Sequence, residues 1–244
     1  MKNSFSIIIP IHGSRKGTRP LLSLIGQYGN PDNDFEVLVV EDDNSHLDEN
    51  YKHFPMVKIV SHHDQRLERA ISTNEGLAAA AKDWIIFLDS DDELLSTALY
   101  DLDYCINKYP EYKIFHYGGI VMWEPKTSDE VDYNPQTTIR STPDLPDGDP
   151  GMGYFETGLV GNGHFCFKRE LYQELGGFPN ECSPYELAKR GVEEFPELGE
   201  MMKRRNVDTL GNPWGQDFLY MYKLTRKYKS KALPLLLYLQ HIRR

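Results

Sequence analysis

The chain has 244 residues, of which 40% are apolar and 26% are charged, and its formal net charge is -10. A chain of this length can bury one sizeable hydrophobic core, and its composition is that of a globular protein rather than a disordered or fibrous one. The 37 acidic residues outnumber the 27 basic ones, which argues against a partner bound through nucleic-acid phosphates. The three cysteines lack CxxC spacing, so we expect buried thiols rather than a disulfide framework or a zinc knuckle.

The sequence contains no apolar run long enough to cross a bilayer, which needs about 20 residues. The first residues, MKNSFSIIIPIHG, form an apolar stretch that is interrupted too early for a signal peptide. We therefore expect an intracellular, cytoplasmic protein without a transmembrane segment. A short basic stretch at 226–231 is typical of a solvated helix end and leaves a peripheral membrane contact open.

The first half of the chain alternates predicted strands and helices. Apolar runs at 5–11, 35–40, 57–60 and 84–88 are continuous, which favours strands buried on both faces, as in a parallel sheet. Helical periodicity follows the first, third and fourth of these runs. The pattern predicts an α/β fold with a mostly parallel central sheet flanked by helices.

The second half is less regular. Residues 124–160 are rich in Pro, Gly and Asp, which predicts a long loop. A strand at HFCF, a helix that ends at Gly176, a charged helical insertion within 180–213, a further helix and a terminal extended segment follow. We expect one domain with a helical insertion near its C-terminal part.

Acidic side chains follow two of the predicted strands. The segments VVEDDNS and FLDSDDEL place them at Glu41, Asp42 and Asp43 and at Asp89, Asp91 and Asp92. Ligands of open α/β sheets bind at the carboxyl ends of strands, so both groups are candidates for one site. The alternative is that these residues cap turns or favour the start of the next helix, to which Glu93 is assigned.

Carboxylates in this pattern suit a hard divalent cation. Mg²⁺ or Mn²⁺ takes one or two carboxylates together with substrate phosphates. The cation would offset the repulsion between the acids and attract a diphosphate. The natural ligand of such a site in an acidic protein is a nucleotide diphosphate.

Five segments in order resemble the family 2 glycosyltransferases of the GT-A fold. These are SIIIPIH, FEVLVVEDDNS, STNEGLAAAAKDWIIFLDSDDEL with a DxD motif, and GNGHFCFKRELYQELGGF followed by WGQDFLYMYKLTRKYKSKALPLLLYLQH. The resemblance implies a metal-dependent inverting enzyme that moves a sugar from a nucleotide diphosphate sugar, most often a UDP-sugar, to a hydroxyl of a glycan or other acceptor. It also implies that 1–109 bind the donor and that 110–244 bind the acceptor.

The resemblance assigns roles to individual residues. The candidates for donor binding are Pro10, His12, Asp42, Asp43, Asn74 and Asp89, with Asp42 or Asp43 accepting from the base and Asp89 touching the ribose or sugar. Metal ligands would be Asp91, Asp92 and His241, holding Mn²⁺ or Mg²⁺. Asp217 would be the general base, and Trp214 and His164 would contact the acceptor.

The sequence departs from the family pattern in places. His12 stands where a different residue pair is common, and Thr73 replaces an arginine, for which Arg66 or Arg69 is the candidate substitute. Gln216 replaces an acid before Asp217. A basic loop, GSRKGTR, is too sparse in adjacent glycines for a phosphate-binding loop, so a sugar-nucleotide pyrophosphorylase is disfavoured.

One alternative function remains open: a non-catalytic domain of the same fold that binds a sugar nucleotide or a glycan. The combination of the acidic motif with Asp217 argues for the enzyme. His62 and His63 are adjacent, and neighbours on a strand point to opposite faces, so the pair itself is interpreted as surface polar residues rather than a chelate.

Overall fold

The computed structural model describes residues 3–13, 17–28, 34–67, 69–124, 137–140, 162–180, 184–204 and 216–243. The strands are β1 (Ser4–Ile11), β2 (Asp34–Glu41), β3 (Val57–His62), β4 (Trp84–Phe87), β5 (Glu93–Leu94), β6 (Ile114–Glu124), β7 (Thr137–Arg140), β8 (Phe165–Lys168) and β9 (Ser230–Arg243). The helices are α1 (Thr18–Tyr28), α2 (Glu49–Lys52), α3 (Arg69–Ala79), α4 (Ala98–Lys108), α5 (Arg169–Leu175), α6 (Pro184–Glu194), α7 (Pro196–Arg204) and α8 (Gln216–Lys227).

Within the described residues the strands form one sheet in the order β3-β2-β1-β4-β8-β6-β9-β5, with β7 paired to β6. The first four strands are parallel, as the apolar runs predict. Beyond β4 the sheet is mixed, because β8 is antiparallel to both β4 and β6. The predicted α/β class is confirmed: β1 to β4 form one parallel block, and β6 and β9 of the second half form a further parallel pair.

Helices cover both faces of the sheet because β1 is buried on both faces. Ile7 and Ile9 pack in one apolar cluster with Leu21 of α1 and Leu99 of α4. Ile8 points to the other face, where it belongs to a second cluster with residues of α3, α5 and α8. α3 approaches β1 so closely that a Cβ on Gly76 would overlap Ile8. The close packing fixes the start of α3 beside the ends of the parallel strands.

The acidic segment after β4 does not begin a helix. Glu93 and Leu94 form β5, which pairs with Tyr238 and Leu239 of β9, and α4 begins only at Ala98. The assignment of Glu93 to the helix is therefore wrong. Asp91 and Asp92 lie too far from the first turn of α4 for a helix dipole to account for them.

Several predictions for the second half fall partly outside the described residues. In the predicted loop 124–160 the structure describes Glu124, at the end of β6, and β7. The insertion 180–213 is helical where it is described, as α6 and α7, which pack on α8 through a small apolar cluster. Cys105 and Cys166 are buried free thiols as predicted, and Cys182 lies outside the described ranges. The described helices include none that is both long enough and apolar enough to cross a membrane.

Candidate functional site

A cavity of about 150 Å³ opens at the carboxyl ends of β1, β2 and β4. Four of the predicted donor-binding residues line it: Pro10, His12, Asp42 and Asp89. Five further residues complete its wall: Arg66, Leu67, Arg69, Ser72 and Ser90. The parallel strands thus bring the two predicted acidic segments to one space, as expected for a sheet of this class.

Asp42 is a buried carboxylate with spare hydrogen-bonding capacity. It is only 3% exposed, and its Oδ2 accepts a hydrogen bond of 3.0 Å from Ser72 Oγ on α3. Within the described part of the chain its Oδ1 has no hydrogen-bond partner. A buried carboxylate oxygen needs a donor, because leaving it desolvated and unpaired is costly. Asp42 is therefore prepared to accept an N–H from a ligand in the cavity.

The turn that carries Asp42 has an unusual backbone. Asp43 and Asn44 have positive φ angles of 54° and 53°, which residues other than glycine rarely adopt. The conformation is held by Asn44 Nδ2, which donates to the Asp64 carbonyl at 2.8 Å, and by Ser45 Oγ, which donates to the Ile11 carbonyl at 2.8 Å. Asp43, the next residue, is exposed. The burial of Asp42 favours it over Asp43 as the contact to the base.

An arginine occupies the cavity beside the second acidic segment. The guanidinium Nη2 of Arg69 contacts both carboxylate oxygens of Asp89, at 2.5 and 2.6 Å. Asp89, and after it Asp217, raises the pKa of Arg69 above its usual value. Arg69 thus supplies the positive charge that Thr73 lacks, while the Thr73 hydroxyl bonds to the Arg69 carbonyl at 2.7 Å. A cation here suits a diphosphate.

Asp92 is held by β9. Its Oδ2 accepts from the Tyr238 hydroxyl, and its Oδ1 accepts from the backbone N–H of His241 at 2.8 Å. Burial, followed by the nearby charge of Asp89, raises the pKa of Asp92 to about 7. These contacts favour a role for Asp92 in tying the acidic turn to β9 over the predicted role of metal ligand.

His241 lies at the same junction. Its ring Nε2 is 2.9 Å from Glu93 Oε1, and its side chain is 8% exposed. The described contacts therefore connect His241 to β5 and to Asp92. The structure brings this histidine to the acidic turn, where it contacts Asp92 and Glu93.

Asp217 lies in the first turn of α8, close enough to the cavity residue Arg69 for the two charges to interact. Burial raises its pKa, and the charge of Arg69 opposes that rise. Asp89 is also close enough to influence it. Its Oδ1 accepts from the Phe218 backbone N–H at 3.0 Å. A residue 128 positions along the chain from Asp89 thus lies in the same electrostatic environment, which is where a general base for the cavity would have to be.

Asn74 is placed differently from its predicted role. Its Nδ2 donates to the Phe178 carbonyl and to Asn180 Oδ1, each at 3.1 Å, and its Oδ1 accepts from the Phe178 N–H at 2.8 Å. A Cβ on Gly177 would overlap the Asn74 side chain. The amide therefore braces the Gly-Gly-Phe segment after α5, and it does not line the cavity.

The predicted acceptor residues are only partly described. His164 is 5% exposed, its Nδ1 is 3.2 Å from the Tyr117 carbonyl oxygen, and its ring lies 5.0 Å from that of Tyr238. This burial favours packing over contact with an acceptor. Trp214 lies outside the described residues.

The acidic turn fits a divalent cation by its charge and donor set. Asp89 and Asp91 both raise the pKa of Asp92 after burial has done so, which shows that three carboxylates crowd one place. Arg69 Nη2 is paired with the carboxylate of Asp89. Carboxylate oxygens are the ligands that Mg²⁺ and Mn²⁺ prefer. Asp91, with Asp89, is the residue that would hold such an ion.

Sequence reasoning missed Leu67, Ser72 and Ser90 as residues of the cavity. Ser72 has a signal that could have been used, since it lies one turn after Arg69 on the face of α3 that meets the sheet. Leu67 and Ser90 have no distinctive pattern, because a single leucine or serine beside a motif is common in any sequence.

The model of the family described as glycosyl transferase family 2 matches residues 6–153. No curated protein matches the chain.

Solved structures of TarS from S. aureus share the fold. The chain is 17% identical to the TarS 1–349 structure with a TM-score of 0.63, and the match covers 98% of this chain and 60% of TarS 1–349. The complex of TarS 1–349 with UDP-GlcNAc matches at 19% identity and a TM-score of 0.64, over 99% of this chain and 59% of that one. A complex of the same protein with UDP matches at 17% identity and a TM-score of 0.59, over 98% and 60% of the two chains. The chain thus spans about 60% of the length of the TarS fragment that it matches.

These similarities show the GT-A fold, in which helices flank a central sheet. Because the family model covers more than half of the sequence, the chain belongs to glycosyl transferase family 2.

Proposed function

We propose that the protein is a metal-dependent, inverting glycosyltransferase that moves a sugar from a UDP-sugar to a hydroxyl of a glycan or another acceptor. The observation that carries the proposal is the cavity at the ends of β1, β2 and β4, where Asp42, Arg69 and Asp89 face one space. Membership of glycosyl transferase family 2 supports the reaction class. The UDP-GlcNAc held by the similar TarS structure supports a UDP-sugar as donor.

The nucleotide base would lie against Pro10 and bond to Asp42. The unpartnered Oδ1 of Asp42 accepts an N–H from the base, as the imide of uracil can donate. Ser72 holds the other carboxylate oxygen, so the carboxylate cannot rotate away without losing a hydrogen bond. Arg66 and Arg69, which line the cavity, offer positive charge to the diphosphate.

Asp91 and Asp89 would hold Mn²⁺ or Mg²⁺. When bound, the cation stabilises the negative charge that develops on the UDP leaving group. Asp92 and His241 position this turn: the bonds from Tyr238 and His241 to Asp92 anchor the acidic segment on β9. The anchored turn keeps the carboxylates at the mouth of the cavity.

Asp217 would take the proton from the acceptor hydroxyl. Its pKa is raised by burial, which makes the carboxylate a stronger base than an exposed aspartate. The acceptor oxygen then attacks the anomeric carbon from the face opposite the UDP group, a new carbon–oxygen bond forms as the bond to UDP breaks, and the configuration inverts. The charge of Arg69 opposes this rise in the pKa of Asp217.

The two halves of the chain divide the work in this proposal. Residues 1–109 contain the cavity wall and the acidic turn, and 110–244 contain Asp217 and the helices α6 and α7. We assign donor binding to the first range and acceptor binding to the second. The acceptor would meet the 124–160 loop and the 180–213 insertion.

The test combines donor binding with turnover. Thermal shifts of the full chain are measured with a panel of UDP- and GDP-sugars, each with and without Mn²⁺, because a ligand of the folded state raises its melting temperature. The donor that binds is then incubated with glycan acceptors, and free UDP is measured. We expect binding that depends on Mn²⁺ and UDP release that depends on acceptor.

Two results would contradict the proposal. Binding of a UDP-sugar without UDP release in the presence of any acceptor identifies the non-catalytic module. If no nucleotide sugar raises the melting temperature in the presence of Mn²⁺, the cavity is not a donor site.

A further inference from the structure

A second group of possible metal ligands lies on the outer side of the β2 turn, away from the acidic turn after β4. Glu41 ends β2, His62 ends β3, and His46 follows the turn. One ligand atom from each, a carboxylate oxygen and two imidazole nitrogens, lie within 4.8 Å of one another. Sequence reasoning considered only the adjacent pair His62 and His63, whose partners differ as expected: His63 meets Glu75 at 2.9 Å.

His46 and His62 both face the same oxygen atom, Oε2 of Glu41. Glu41 Oε2 is 3.2 Å from His62 Nδ1 and 3.6 Å from His46 Nδ1. A hydrogen bond accounts for the first contact, but 3.6 Å is too long for a second one. Zinc–ligand bonds of about 2.0–2.1 Å in tetrahedral geometry separate neighbouring ligand atoms by roughly 3.3 Å. The two measured separations lie on either side of that value.

The surroundings orient each ligand as a metal site requires. The other oxygen of Glu41 accepts from the Leu47 backbone N–H at 2.7 Å, which leaves Oε2 turned to the histidines. The second nitrogen of His62, Nε2, is 3.4 Å from Asp64 Oδ1. Metal-bound histidines commonly give their other N–H to a carboxylate, which fixes the tautomer. The two imidazole rings stack at 4.6 Å with an angle of 11° between their planes.

The backbone around the cluster is already fixed. The Asn44 N–H donates to the His63 carbonyl at 3.3 Å, and the His63 N–H donates to the Glu41 carbonyl at 2.9 Å. Together with the bond from Asn44 Nδ2 to the Asp64 carbonyl, these contacts hold the segment after β2 against the segment after β3. A cation would therefore bind a prepared arrangement with little ordering of the chain.

We propose that Glu41, His46 and His62 bind Zn²⁺, with water completing a four-coordinate site. The donor set favours a transition metal such as zinc, since imidazole nitrogen suits these ions, whereas the oxygen-only turn after β4 suits Mg²⁺ or Mn²⁺. The ion links the segment that carries Asp42 to the segment that carries Arg66. Both line the cavity, so zinc fixes the wall of the donor site without entering it.

The test uses the full chain after treatment with a chelator and desalting. ZnCl₂ is titrated calorimetrically, and bound zinc is counted by mass spectrometry after a second desalting. We expect about one tightly bound zinc per chain and an increase in melting temperature. Both are lost in His46→Ala, whose side chain is 61% exposed and whose removal leaves the fold intact by circular dichroism.

Matched variants separate this site from others. His62→Ala also loses the zinc, and Asp64→Asn lowers the affinity on the order of 10-fold because it removes the negative charge of the group that faces Nε2. His63→Ala and Asp91→Ala retain one zinc with the affinity of the parent. Co²⁺ in place of Zn²⁺ gives visible absorption typical of a four-coordinate ion in the parent and in His63→Ala.

The inference is overturned if the parent binds no zinc, or if folded His46→Ala binds it as tightly as the parent does. It is equally overturned if Asp91→Ala abolishes the bound zinc, which would place the ion at the acidic turn. None of these measurements involves a nucleotide sugar, so failure of the donor site would leave the result unchanged.

Discussion

The turns after β2 and β4 flank the end of β1 and begin from similar sequences, EDDNS and DSDDE. The turn after β2 is closed by its own hydrogen bonds and carries one acid into the cavity, Asp42, with histidines on its other side. The turn after β4 crowds three carboxylates beside one arginine and is anchored to the last strand. Two acidic segments of the same length thus differ in donor chemistry, which the neighbouring strands decide.

The largest expected effect, on the rate of UDP release, comes from Asp217, which lies outside both turns. Asp217→Asn removes a general base, and we expect the rate of UDP release with acceptor to fall roughly 10²- to 10⁴-fold. The thermal shift with donor and Mn²⁺ should remain, because Asp217 does not hold the donor in this account. Gln216→Ala is the control on the same turn of α8 and should keep the rate. Transfer by Asp217→Asn at the parent rate would show that another group takes the proton.

The next effect separates the two acids of the β2 turn. Asp42→Asn removes the charge that accepts from the base, and a hydrogen bond to a charged group contributes about 1.5–3 kcal/mol, so UDP should bind about 10- to 100-fold more weakly. Asp43→Asn, on the exposed side of the turn, should leave the dissociation constant unchanged. The measurement is calorimetric titration of UDP with Mn²⁺. An equal loss of UDP affinity in the two variants, or a loss in Asp43→Asn alone, would show that the assignment of the base contact to Asp42 is wrong.

The smallest effect on donor binding is expected for Asn74→Ala. The amide makes three hydrogen bonds to the segment at Phe178 and Asn180, so its loss should lower the free energy of unfolding by about 1–3 kcal/mol. UDP affinity of the folded variant should not change. Urea unfolding and UDP titration measure the two quantities, with Asn107→Ala as the control, because that amide bonds only within α4. Weaker UDP binding with an unchanged free energy of unfolding would show that Asn74 contacts the donor, as the resemblance implies.

The sequence predicted the parallel half of the fold well because its strands are continuous apolar runs between clear helical patterns. It gave no prediction for β6, whose residues 114–124 include His116 and two adjacent glycines and so lack the apolar continuity of β1. The pairing of β6 with β9 joins residues more than a hundred positions apart, and no local pattern encodes such a contact.

The candidate site was predictable where function depends on residue type next to a strand end. Asp42 and Asp89 fall in this class, and the structure brings both to the cavity. The contacts that distinguish Asp92 from Asp91 come from Tyr238 and His241 on the last strand, so the position of Asp92 in the motif could not reveal them. His46 and His62 meet only because β2 and β3 are neighbours, and a search for ligands adjacent in sequence overlooks such pairs.

The most direct test of the account asks which of the two turns holds the metal that the donor needs. The measurement is calorimetric titration of UDP, with and without Mn²⁺, into the parent, Asp91→Ala and His62→Ala. The account predicts that Mn²⁺ strengthens UDP binding in the parent and in His62→Ala, and that Asp91→Ala loses this gain. A gain that persists in Asp91→Ala, or that disappears in folded His62→Ala, would contradict it.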